Sequence, residues 1–72
     1  MEFDEYRLHL GLRVQKLRKE RGLTQEQVAE LLGMDRVSIG YIEQGRRSPK
    51  IKTLYEMSKV FNVDMEDFFK TM

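Results

Sequence analysis

Apolar residues recur along the chain at spacings of three and four, and no β-branched run alternates with polar residues as a strand would. That period predicts helices. The first runs from about residue 4 to 21, with Tyr6, Leu10, Val14 and Leu17 on one face. Gly11 lies beside that face, and a glycine inside a helix points to close approach by a neighbouring helix. Leu8 and Leu12 fall on nearly the opposite side, where they either pack under another segment or offer a partner surface. Glycines at 22, 33 and 45 follow the apolar runs and stop them. Thr24 opens the second helix through a Thr24-Gln25-Glu26-Gln27 capping box, with Val28, Leu31 and Leu32 as its buried side. Asp35 caps the third, Arg36 to Gln44, which turns Ile39 and Ile42 inward and Val37, Gly40, Tyr41 and Gln44 outward. Pro49 holds Ser48 out of helical geometry, so the fourth helix starts near Ile51. Ile51, Leu54, Ser58 and Phe61 share its stripe, Met57 flanks it, and Asn62 is its left-handed cap. Asp64 and Asp67 open a last short helix, about 64–71, where Met65, Phe68, Phe69 and Met72 repeat the spacing. The expected fold is all-α, five short helices in one domain spanning residues 1–72.

Composition narrows the chemistry. The chain is 40% apolar and 35% charged, enough for one core and too apolar for a disordered tail. It contains no cysteine, which excludes disulfides and thiolate metal sites, and His9 is its sole histidine. No His, Asp and Glu cluster has metal-ligand spacing, so neither an enzyme nor a metal or other cofactor is expected. An acidic amino terminus and the lack of a long apolar run argue against a signal peptide or membrane span and for the cytoplasm. The formal net charge of +1 conceals blocks. Residues 7–21 hold six bases against one acid, and residues 36–52 hold five against one. Converging in the fold, the two stretches would make a phosphate-facing surface; kept apart, they are solvated faces of mixed charge.

Two short helices joined by a tight glycine turn, the second with a small and polar outer face, form a helix-turn-helix at about 24–44. The pattern becomes specific in Leu10-Gly11, Arg13-Val14, Leu17-Arg18, Gly22-Leu23-Thr24-Gln25, Val28-Ala29, Leu32-Gly33, Ile39, Ile42-Glu43, Gly45 and Pro49. Thr53-Leu54, Val63, Met65 and Phe68-Phe69 extend it. Across residues 10–69 the chain resembles the Cro/cI repressor-type, XRE-like helix-turn-helix family of small DNA-binding transcriptional regulators.

The resemblance implies a compact lambda-repressor-like domain whose third helix enters the major groove of double-stranded DNA. Arg36, Val37, Ser38, Gly40 and Tyr41 are then the base-contacting candidates. The Arg36 fork suits guanine O6 and N7, its rival role being an ion pair with Asp35 or Glu43. Val37 suits a thymine methyl or is simply exposed, and Ser38 suits a base or a phosphate. Gly40 either lets the helix sit deep or leaves a gap, and Tyr41 stacks on sugar or reaches phosphate through its hydroxyl. Phosphate contacts are expected from Arg13, Thr24, Gln25, Arg46, Arg47, Lys50 and Lys52, with Gln25 braced against residue 36. Arg18 and Glu43 take the family's positions for a buried ion pair. Lys50 stands where a capping serine or threonine is usual, and Val37 and Gly40 replace polar residues, shifting weight from base contacts to DNA shape.

One reading helix spans few base pairs, so a homodimer on a palindromic operator is expected. Met65, Phe68, Phe69 and Met72 form its first candidate interface and Leu8 and Leu12 the reserve; alternatively Phe68 and Phe69 close the core and Met72 alone faces out. No effector domain is expected after the DNA-binding unit. The alternative function is a protein–protein adaptor or antitoxin-type module on the same fold, with weak or no specific DNA binding.

Overall fold

The computed structural model describes residues 2–70, and helix α1 occupies Phe3–Glu20. It buries Leu10, Val14 and Leu17, the stripe expected from their spacing. Tyr6, expected on the same stripe, lies beyond the core and sets its ring against Phe69, 6.1 Å between centroids. Helix α2, Gln25–Leu32, starts at the expected capping box: the Gln27 amide donates to Thr24 Oγ1 at 3.0 Å, and the Thr24 amide to Gln27 Oε1 at 2.8 Å. It ends at Gly33, whose φ of +66° lets the Met34 amide turn back to the Ala29 carbonyl. Helix α3, Arg36–Glu43, begins at Asp35, whose carboxylate accepts from the Ser38 amide at 2.8 Å. Helix α4, Ile51–Phe61, closes on Asn62 at φ +55°. Its first turn has no side-chain cap at Lys50.

Two further apolar residues expected inside are outside. Leu31 is 63% exposed because Val28, Ala29 and Leu32 define the buried side of α2, and Leu31 is rotated roughly 100° from its middle. Ile51, 71% exposed, occupies the first turn of α4, while the core is reached only from Leu54 onward.

The fifth helix is also corrected. Residues Met65–Phe69 form a 3₁₀ turn, closed by the Asp67 amide on the Asp64 carbonyl at 2.9 Å, and Lys70 is already extended. So short a segment cannot build an α-helical ladder, and its shape follows from driving Phe68 inward against Phe61. Among the described residues the fold is therefore four α-helices and a 3₁₀ turn.

Helix α3 lies between α1 and α2, α4 packs on α2, and the 3₁₀ turn joins α1 to α4. Val14, Val28, Ile39, Met57 and Phe61 are fully enclosed at the centre. A Cβ on Gly11 would fall onto the Ile42 carbonyl oxygen and within 2.7 Å of that of Glu43, so glycine is what permits α1 and α3 to touch backbone to backbone. Among the described residues, no helix is long and apolar enough to cross a membrane, and no three His, Asp or Glu side chains gather as a metal site.

Candidate nucleic-acid interface

Four arginines of the first basic stretch are committed to hydrogen bonds within the molecule. Arg7 Nε donates to the Gly45 carbonyl at 2.7 Å, Arg13 Nε to that of Asp67 at 2.6 Å, and Arg21 Nε to that of Phe61 at 2.5 Å. Arg18 Nη1 reaches the Leu23 carbonyl at 2.8 Å. The Phe61 carbonyl ends α4 and that of Gly45 follows α3, where backbone acceptors lack helical partners and the helix dipole is negative, while the Asp67 carbonyl belongs to the 3₁₀ turn and that of Leu23 to the loop before α2. Arg13, expected at a flanking phosphate, instead ties the 3₁₀ turn to α1. Of the six bases, only Lys16 and Lys19 remain without a polar contact among the described residues, so the first basic stretch is largely internal fastening.

Beneath the outer face of α3 lies a buried polar network. Arg18 and Glu43 meet in a two-pronged ion pair, Nε to Oε2 at 2.6 Å and Nη2 to Oε1 at 3.0 Å. Gln25 Nε2 donates to the same Oε1 at 2.9 Å, so its brace is Glu43 and not residue 36. Three helices are thereby locked together. Gly40 sits directly under Gln25, whose Oε1 would be 3.7 Å from a Cβ there. Gly40 is buried and belongs to the seam between α2 and α3, which corrects its expected place on an open reading surface.

Above that network, Arg36 and Val37 stand exposed at the start of α3, Val37 at 53%. Arg36 makes no ion pair among the described residues, although Asp35 and Glu43 were its expected rivals for DNA. Ser38 and Tyr41 are half-buried on the same outer side. Gln44 shares the side of Val37, a position its i+7 spacing signalled although no contact was assigned to it.

The cationic loop after α3 folds back on the helix. Arg47 Nη1 donates to Ser38 Oγ at 3.1 Å, and the Arg46 and Arg47 guanidinium carbons lie 4.8 and 5.3 Å from the Tyr41 ring centroid. Asp35 is held below the usual carboxylate range, first by the backbone amide of Ser38, then by its hydroxyl, with a smaller contribution from Arg47. Lys50 and Lys52 are exposed farther along. An open groove between loop and helices is lined by Met34, Ile42, Arg47, Pro49, Lys50 and Thr53. Tyr41 as a seat for two arginines was not legible in sequence, because Arg46 and Arg47 lie past the helix end and share no helical spacing with it.

The proposed dimer residues divide. Phe68, 2% exposed, is a core residue and offers nothing to a partner. Met65 is half-buried against the core, Phe69 is 46% exposed beside Tyr6, and Met72 lies outside the described residues. Leu8 and Leu12 are about half exposed, with Leu8 seated against Gly45.

The helix-turn-helix family profile matches residues 14–68. An uncharacterized HTH-type transcriptional regulator of Archaeoglobus fulgidus is 35% identical over 57 residues, covering 79% of this chain and 81% of its own. The HTH-type transcriptional regulator PuuR of Escherichia coli is 39% identical over 59 residues; the match covers 82% of this chain but only 32% of PuuR. Among solved structures, the restriction-modification controller protein C.AhdI of Aeromonas hydrophila superposes with a TM-score of 0.89 at 26% identity, over 96% of this chain and all of that one. These are regulators and a controller protein, not enzymes. By the profile, by its relatives and by its fold, the chain belongs to the helix-turn-helix family of the Cro/cI, XRE-like type.

Proposed function

We propose that the chain is a sequence-specific, double-stranded DNA-binding transcriptional regulator, acting as a homodimer on a palindromic operator with α3 in the major groove. The observation that carries this reading is the free outer side of α3. Arg36 and Val37 project from a helix locked underneath by Arg18, Glu43 and Gln25, while Arg46, Arg47, Lys50 and Lys52 flank its far end. Arg36 would bond guanine edges, a contact worth about 1–3 kcal/mol of discrimination, and Val37 would meet a thymine methyl. Ser38 would complete the base contacts. Thr24, Gln25 and the loop cations would hold phosphates, Gln25 through the amide hydrogen that Glu43 leaves free. In the dimer, half-sites would lie about 34 Å apart, one helical turn.

The test is titration with random-sequence duplex across a range of salt, followed by selection of bound sequences. Affinity is expected to fall steeply with salt, and a motif with two-fold symmetry to emerge. Arg36→Ala should relax one or two base positions, whereas Arg46→Ala should weaken all sequences alike and lower the salt slope by about 1. A flat salt response with no enriched motif would overturn the reading in favour of a protein–protein adaptor on this fold.

A further inference from the structure

We propose that Tyr41 is a positioning residue for the DNA grip: its ring is the platform on which Arg46 and Arg47 are held ready for phosphate, and it touches neither base nor phosphate itself. This rests on the DNA-binding reading above. Both guanidinium groups lie within stacking range of the one ring, at 4.8 and 5.3 Å from its centroid. Two long cationic side chains that repel each other do not gather at one point without a reason, and the negative face of a phenol ring supplies it. Stacking engages the flat face of a guanidinium and leaves its in-plane N–H donors directed outward, the geometry that phosphate oxygens require. Arg47 is fixed a second time by its hydrogen bond to Ser38 Oγ, which orients the loop relative to the start of α3.

The location explains why a platform is needed. Arg46 and Arg47 follow Gly45, whose φ is +72°, so no helical backbone restrains them. A free arginine loses rotamer freedom when it grips a strand, and prior stacking removes part of that loss before DNA arrives. The Tyr41 ring is itself steady, rooted in α3 and half-buried.

The experiment compares wild type, Tyr41→Phe, Tyr41→Leu, the double variant Arg46→Ala/Arg47→Ala, and that double variant carrying Tyr41→Leu. Each is titrated with the duplex enriched by selection, after circular dichroism establishes that it is folded. Tyr41→Phe keeps the ring and should bind within about twofold of wild type, whereas Tyr41→Leu should lose roughly tenfold. With both arginines gone, Tyr41→Leu should change affinity by no more than about twofold, because the ring then has nothing to hold. Equal losses in the Phe and Leu variants would show a hydroxyl contact and overturn the proposal. An undiminished Leu effect in the arginine-free background, or no Leu effect at all, would overturn it equally.

A second readout needs no DNA. In proton NMR of the free protein, the side-chain resonances of Arg46 and Arg47 should be displaced by the ring in wild type and Tyr41→Phe, and return to ordinary positions in Tyr41→Leu. Undisplaced resonances in a wild type that binds DNA would sink this proposal alone. A wild type that shows the displacement but binds no DNA would sink the functional reading, and the platform's purpose with it.

Discussion

Arg18 and Glu43 are each nearly excluded from water, and their charges are tolerable only because each supplies the other's counter-ion, with Gln25 and the Leu23 carbonyl absorbing remaining hydrogen-bonding capacity. Removing one partner strands the other. Arg18→Ala is expected to cost roughly 3–5 kcal/mol, comparable to the whole stability of a small domain, and so to unfold the protein rather than alter its specificity. Urea denaturation measures this, and a folded Arg18→Ala protein with selectively lost DNA binding would contradict it. Asp35 makes a different prediction. Its carboxylate is depressed by the Ser38 amide, so capping adds stability that is full above the usual carboxylate pKa and lost as pH falls through the lower folded value. Asp35→Ser keeps a cap that does not titrate. Melting curves of the two proteins should therefore converge from pH 5 to pH 3, and parallel profiles would show that the carboxylate contributes nothing.

The elements were legible wherever their signals are local. The Thr24–Gln27 box, the stop at Gly33, the Asp35 cap and the left-handed Asn62 all join residues within a few positions of one another, and all are present. The last segment misled because i, i+3, i+4 spacing is shared by an α-helix and by a turn that merely needs to aim one aromatic ring inward. Phe68 won that place and Phe69 did not, a choice made by Phe61 across the core. Helix α4 carries a defect visible in both sequence and structure: Lys50 at its N-cap accepts no hydrogen bond from the first turn. Lys50→Ser should supply one, adding about 1 kcal/mol, or roughly 4–8 °C in Tm for a domain of this size. On the proposed function the same change removes a phosphate contact, so salt-dependent affinity should drop as stability rises. Calorimetry beside a salt titration tests both, and unchanged DNA affinity would remove Lys50 from the interface.

Over the whole molecule, the decisive event is how charge is sorted. Two basic stretches looked equivalent along the chain, yet in the first Arg7, Arg13, Arg18 and Arg21 donate to backbone carbonyls, while the loop after α3 keeps its cations at the surface. A positive surface beside α3 thus comes mainly from the second stretch. The proposed dimer belongs to this scale too. With Phe68 withdrawn into the core, the expected contact centres on Phe69 and its neighbour Tyr6, and Phe69→Ser should weaken self-association without unfolding the domain. Sedimentation at tens of micromolar gives the answer, and a wild-type monomer there would reject the dimer. Sequence by itself determined the first four helices, their caps and turns, the close approach at Gly11 and the family, because each is written in spacings of a few residues or in a pattern spread over the chain. Only the tertiary structure decided which arginines are fasteners and which are free, that Gly40 lies under Gln25, and that Tyr41 gathers two cations. Those outcomes depend on which distant carbonyl, ring or carboxylate arrives beside each side chain, and no local periodicity encodes that arrival.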